Sequence, residues 1–242
     1  MKLSELVFKL RVVLIALLIA VSFIAPWSRA FGWDNHDSAL VWLAVRLAHG
    51  AGIEFQTATM ILIALTILSA FKGMVWRVWG TSYLGASTVY NLKMQGAQLQ
   101  ADGPYRFVRN PLYLGDMAYI SAVATLMPPS GAVFAIVMVG LLYLVLIDGE
   151  ERFLSASQGQ RYREYCRAVP RLVPRFWRGL PAGGAKPNWM RGALNEVNPI
   201  GVFLTFAILS WRYDRMLMIK AVIVSFGLSL VVRAMLPKDR DE

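Results

Sequence analysis

The sequence predicts an all-α integral membrane protein of about six transmembrane helices, with a tight helical hairpin at its centre. Three observations predict this. Residues are 57% hydrophobic and 17% charged, where ordinary soluble domains run at about 45–50% and about 25%. The apolar residues are gathered into runs approaching the ~20 that one crossing requires. The formal net charge of +10 sits beside those runs rather than over a general surface, as the positive-inside rule and anionic headgroups would arrange it.

The first apolar run, Val12 to Trp27, follows Lys2, Lys9 and Arg11. It has no clear small-x-small cleavage site and more membrane segments follow, so it reads as a retained span with its N-terminus inside. Ala39 to Ala51 carries Arg46 and His49 and is short for a crossing, which suits an interfacial or re-entrant helix. Phe55 to Phe71 is the next span. From Leu112 to Ile147 the chain is apolar apart from Asp116, and Pro128, Pro129, Ser130 and Gly131 interrupt it midway. Two antiparallel arms joined by almost no loop follow from that interruption, and both ends open on one membrane face. Pro199 to Trp211 and Met216 to Val232 form a last pair, the second holding Lys220, which snorkels, pairs or lines a cavity. Six crossings put both termini on the side of the basic stretches Lys72 to Arg109 and Arg152 to Arg191, the cytoplasmic side by charge. Gly179 to Asn198, with Pro181, Gly183, Gly184 and Pro187, has the composition of a linker.

Several function classes fall away. Cys166 is the only cysteine and His36 and His49 are the only histidines, so a disulfide, a thiolate zinc site and most metal chemistry are excluded. The basic residues flank apolar runs, which disfavours nucleic-acid binding.

Two polar clusters stand at the ends of the hairpin. In Gly103 to Gly115 (GPYRFVRNPLYLG), Gly-Pro marks a turn and Asn110 precedes Pro111, so a helix should begin at Pro111 with Asn110 as its cap and free N–H groups facing an anion. Asp148, Gly149, Glu150, Glu151 and Arg152 close the other end. Because the hairpin folds back, these acids and Arg109 share one pocket mouth. Adjacent carboxylates beside a bilayer require a cation or hydrogen-bond donors, and an amino-acid-like ligand would supply an ammonium. Asp116 is either a functional intramembrane acid or a partner of Arg109. Tyr162 and Tyr165, three apart on an amphipathic stretch, read as interfacial packing residues.

GPYRFVRNPLYLG, followed one hairpin later by EERFLSASQGQRYREYCRAVPRLVPRF and preceded by WRVWGTSYLG, resembles the signature of the isoprenylcysteine carboxyl methyltransferase and phospholipid methyltransferase superfamily in its bacterial form. The resemblance covers about residues 76–176. It divides the chain into N-terminal membrane helices with an interfacial segment (1–75), a methyltransferase-like core (76–178), a linker (179–198) and a C-terminal helix pair (199–242).

The resemblance implies a cytoplasmic pocket for S-adenosyl-L-methionine. Ala97, Gln98, Leu99 and Gln100 would give backbone contacts, and Tyr105 would pack on the cofactor. Asn110, Pro111, Leu112 and Tyr113 would hold it, and Glu150 and Glu151 would take its polar end. Arg109 would orient the cofactor or a substrate oxygen, which makes Arg109 and Glu151 the candidate catalytic pair. In-line methyl transfer depends mainly on positioning in a dry, charge-complementary pocket, and aromatic faces suit a sulfonium.

Asn110 stands where the eukaryotic carboxyl methyltransferases have histidine, and Leu146 where they have a substrate-contacting basic residue. The expected acceptor is therefore a membrane lipid or other amphiphile, not specifically a prenylcysteine. Competing readings are an NADPH-dependent reductase resembling the sterol reductases and a non-enzymatic membrane scaffold or transporter. The reductase would need polar motifs for a larger cofactor after Arg178, and none is present.

Overall fold

The computed structural model describes residues 3–24, 38–84 and 100–236. The described residues are helical, with no strand: α1 (Leu3–Ile24), α2 (Ala39–Ala51), α3 (Phe55–Leu84), α4 (Pro111–Ala124), α5 (Pro129–Gln158), α6 (Gln160–Ala168), α7 (Trp189–Asn195), α8 (Val197–Leu209) and α9 (Arg215–Met235), with short 3-10 turns at Gly103–Arg106 and Phe176–Arg178.

Among the described residues, α1, α3, α5 and α9 are long and apolar enough to cross a membrane. Helices α7 and α8, bent by 74° at Glu196, make a fifth if counted as one broken span. This differs from the expected six. The shortfall lies in the hairpin, whose first arm α4 has 14 residues and rises only about 21 Å, against a hydrocarbon core of about 30 Å. The second arm has 30 residues. Nothing between Asp148 and Gln158 breaks a helix, so α5 runs on past Ile147 until Gly159, whose φ of 58° ends it. The acidic cluster is therefore part of a continuous helix rather than a loop closing the hairpin.

Helix α3 is the hub, packing on α2, α4, α7 and α8. Its contact with α4 is the most extensive and is made through glycines. A Cβ at Gly73 would stand 2.7 Å from the Tyr119 backbone nitrogen and 2.9 Å from the Gly115 carbonyl. Only hydrogen at that position lets the two backbones meet. Helix α5 packs on α4 and α1, and α9 packs on α8. At the hairpin turn, Ala39 N donates to Met127 O (2.7 Å) and Arg215 Nε to Leu126 O (2.7 Å), fastening α2 and α9 to the same end of the bundle. Ser38 caps α2, its hydroxyl accepting from Val41 N, and also pairs with the Tyr213 hydroxyl.

The stretch with linker composition is fastened too. Asp102 accepts from the backbone N–H groups of Gly183 and Ala185, Leu180 N donates to Arg106 O, and Asn188 N donates to Ser82 O. The two backbone donors hold the Asp102 carboxyl below its ordinary range. Phe107 stacks against Phe176 and Trp79 (centroids 5.4 and 6.1 Å apart), seating the chain after α6 on the end of α3.

Candidate functional site

A cavity of about 970 Å³ runs through the bundle, floored by α4 and bounded by α1 on one side and α9 on the other. Arg11 near the start of α1, Glu150 on α5 and Arg233 near the end of α9 all line it. Apolar side chains of α1 (Ile15, Ile19) and α9 (Ile219, Val222, Phe226) line its lateral walls.

At the polar end the two motifs meet. Pro111 begins α4 as its composition predicts, but Asn110 does not cap it with its side chain. The Asn110 side-chain amide instead donates to Glu151 Oε1 (3.1 Å) and to the Arg171 carbonyl (3.1 Å). Arg109 Nε donates to the same Glu151 oxygen at 3.2 Å and Arg109 Nη1 to the Cys166 carbonyl at 2.9 Å. Arg171 Nε lies 3.2 Å from Glu151 Oε2. Glu151 thus accepts two hydrogen bonds at Oε1 and faces the Arg171 charge at Oε2. Glu150 differs: among the described residues it accepts one hydrogen bond, from the Tyr113 hydroxyl at 2.6 Å. Arg109 Nη2 also makes no hydrogen bond to the described residues, and Arg109 lines the cavity.

Tyr105 is buried against the same space, and its hydroxyl has no hydrogen-bond partner among the described residues. Burial pushes that hydroxyl well above the ordinary tyrosine range, so it stays a neutral donor. Tyr165 donates to the Tyr105 carbonyl at 2.7 Å. Contrary to the interfacial expectation, Tyr162 and Tyr165 are both buried and both line the cavity. Helix α6 follows α5 after Gly159, and its Tyr162 and Tyr165 pack with Val169 against Leu154 and Leu180. Gln100 and Leu112 are also in the lining, as are Asn110, Pro111 and Tyr113. Ala97, Gln98 and Leu99 fall outside the described residues.

A second polar station lies deeper, and sequence reasoning missed most of it. Arg77 on α3 grips Glu196 through Nε (2.9 Å) and Nη2 (2.8 Å), while Thr81 Oγ1 donates to the same carboxylate. The third edge of Arg77, Nη1, donates to Asp116 Oδ2 at 3.2 Å. Asp116 therefore pairs with Arg77, not with Arg109. A signal was present: Arg77 and Glu196 are lone opposite charges beside long apolar runs, the pattern that marks intramembrane pairs.

The polar end offers contacts that an amino-acid-bearing ligand can use. Glu150 has capacity for an ammonium, Arg109 Nη2 for a carboxylate, and the orphaned Tyr105 hydroxyl for one further acceptor. A phospholipid methyltransferase family model matches residues 50–161. Over 70 residues the chain is 39% identical to a methanethiol S-methyltransferase of Crocosphaera subtropica, covering 29% of this chain and 27% of that protein. Over 76 residues it is 42% identical to a methanethiol S-methyltransferase of Mycobacterium tuberculosis, covering 31% of this chain and 30% of that one. The chain thus spans less than a third of the length of these curated relatives. No solved structure matches it. Residues 50–161, which carry Tyr105, Arg109, Asn110, Tyr113, Asp116, Glu150 and Glu151, are a match to the phospholipid methyltransferase family.

Proposed function

We propose that this protein is a membrane-embedded methyltransferase that takes its methyl group from S-adenosylmethionine and delivers it to an amphiphilic acceptor. One observation carries the reading: a single cavity joins a polar pocket built from the matched segment to apolar walls supplied by α1 and α9. The polar pocket suits a water-soluble donor and the apolar walls suit an acceptor reaching in laterally from the bilayer. Bound S-adenosylmethionine supplies an electrophilic methyl carbon on a sulfonium.

The chain's own groups do the rest. Glu150, held by Tyr113, takes the ligand's ammonium, and the free edge of Arg109 takes its carboxylate. Arg109 and Glu151 hold one another, so the guanidinium is oriented before the ligand arrives. The Tyr105 hydroxyl gains a partner it lacks. Burial of the whole arrangement excludes water from the reacting centre and strengthens these contacts. By the positive-inside rule the polar end faces the cytoplasm, as in a bacterial inner-membrane enzyme.

Calorimetric titration of detergent-purified protein with S-adenosylhomocysteine and, separately, NADPH tests the proposal. Binding of the first, lost in Glu150→Ala and weakened in Arg109→Ala, is the expected result. Binding of NADPH alone sinks it in favour of a reductase, and silence from both favours a scaffold.

A further inference from the structure

The stripe of α4 that faces the cavity begins with Tyr113 at the polar pocket and meets Asp116 one turn deeper, before it becomes apolar at Ile120 and Val123. Asp116 therefore stands at the junction between the polar pocket and the lipid-like walls. A methyl group must change hands at that junction if donor and acceptor approach from the two ends. The Tyr113 and Tyr143 rings meet edge-on across it, 5.1 Å between centroids, and Tyr143 lines the cavity within electrostatic reach of Asp116.

The charges around Asp116 are unequal in their commitments. Arg77 spends two of its three edges on Glu196, which is fully buried, so Glu196 serves as that guanidinium's main counter-ion. Asp116 takes only the remaining edge and keeps a side-chain exposure of 13% while lining the cavity. Arg233 on α9 acts on it more weakly and donates to the Asn195 carbonyl. Glu196 is fully enclosed by protein, whereas Asp116 is not. Asp116 is the acid of the cluster that lines the cavity, beside Arg77 and Arg233, and an ionisable group in that setting is costly unless it is paired or used.

We propose that Asp116 is the acceptor-side residue of the site: its carboxylate takes the hydrogen bond, and then the proton, of a protic nucleophile X–H at the head of an amphiphile, where X is nitrogen, sulfur or oxygen. The proposal rests on the methyltransferase reading above and adds the acceptor's chemistry to it. X forms a bond to the methyl carbon as that carbon's bond to the donor sulfur breaks, the donor departs as a neutral thioether, and the proton of X–H passes to Asp116. A carboxylate acceptor has no such proton to give and brings its charge against that of Asp116. Tyr143 stands beside the carboxylate, and Arg77, anchored by Glu196, donates to it and fixes its position.

The test uses protein reconstituted in lipid nanodiscs, with decylamine, decanethiol, decanol and decanoate as probes. Calorimetry with S-adenosylhomocysteine comes first, and failure of the wild type to bind it overturns the methyltransferase reading and this proposal with it. Given binding, transfer of labelled methyl to at least one protic probe and none to decanoate is expected. Asp116→Asn, tolerated because Glu196 still holds Arg77, should lower kcat by about 100-fold or more while leaving S-adenosylhomocysteine affinity within about twofold. Without any donor, decylamine should raise the melting temperature of the wild type and not of Asp116→Asn. If Asp116→Asn does not fold, Asp116→Glu and Tyr143→Phe carry the test, each with reduced kcat and intact S-adenosylhomocysteine binding. Labelling of decanoate at a rate comparable to the protic probes, failure of every protic probe in a protein that binds S-adenosylhomocysteine, or unchanged kcat in the variants overturns the proposal.

Discussion

Glu196→Leu is the perturbation that the structure penalises most. The carboxylate is fully buried and accepts two hydrogen bonds from Arg77 at 2.9 and 2.8 Å and a third from Thr81. Removing one partner of a buried ion pair costs about 3–5 kcal/mol, because the other charge stays behind without compensation. Here Asp116 remains on the third edge of Arg77 at 3.2 Å, which places the expected loss near the lower end, about 3 kcal/mol. Glu196→Gln keeps one oxygen that can still accept from Thr81 and Arg77 Nη2 but sets its NH2 against Arg77 Nε, so it should cost less than Glu196→Leu without being neutral. The sharper observable is coupling. With Glu196 gone, Asp116 becomes the chief counter-charge of Arg77, so Glu196→Leu combined with Asp116→Asn should exceed the sum of the single losses by about 1–2 kcal/mol. Equilibrium unfolding in mixed micelles of the two single variants and the double variant measures this directly. Additivity within about 0.5 kcal/mol would refute the shared-guanidinium account.

Other outcomes follow from the same geometry. Gly73→Ala drives a methyl into the backbone of Tyr119 and Gly115 and should destabilise by about 1–3 kcal/mol, seen as a lower melting temperature, whereas Gly227→Ala, with open space around it, should not. The Asp102 carboxyl titrates below its ordinary range because it accepts from Gly183 and Ala185, so its contribution is complete above the unfolded value of about 3.9 and is lost as pH falls through the lower folded value. Limited proteolysis should accordingly cut residues 180–188 faster at pH 3 than at pH 6, and Asp102→Asn should cut fast at both. Tyr105→Phe removes a buried hydroxyl without a partner, so it should leave the ligand-free protein as stable or slightly more so, yet weaken S-adenosylhomocysteine binding about 2- to 12-fold, the worth of one hydrogen bond, by calorimetry. Destabilised free protein with unchanged affinity would remove Tyr105 from the pocket.

Local chemistry was legible in the sequence where short-range rules dominate. Pro111 starts α4 because a proline loses nothing at a helix's first position, and the prolines after Met127 turn the hairpin because the chain cannot continue a helix through them. The meeting of Arg109 with Glu151 and of Tyr113 with Glu150 followed from that hairpin alone, since two antiparallel arms bring their distant ends together. Its arm lengths did not follow. Hydropathy marks where apolar residues stop, whereas a helix stops where its backbone does, and α5 carries its acidic residues well past the apolar run.

The deeper station was hidden for a different reason. Arg77 and Glu196 are 119 residues apart, and no local rule links them. Each alone resembles a juxtamembrane anchor, Arg77 among the tryptophans at the end of α3 and Glu196 at the close of a glycine- and proline-rich stretch. What joins them is the bend between α7 and α8, which folds the chain back onto α3 at the point where Glu196 needs a cation. Gly192 allows this approach, since a Cβ there would stand 2.9 Å from the Ser82 side chain and 3.0 Å from the Val78 carbonyl. The break therefore has a physical role. The bend delivers the Glu196 carboxylate to the guanidinium that also donates to Asp116, so the buried charge is compensated. The C-terminal helices, outside the matched residues 50–161, thus complete the environment of an acid inside them, and a fragment ending near residue 161 should lose the orientation of Asp116 even if its polar pocket survives.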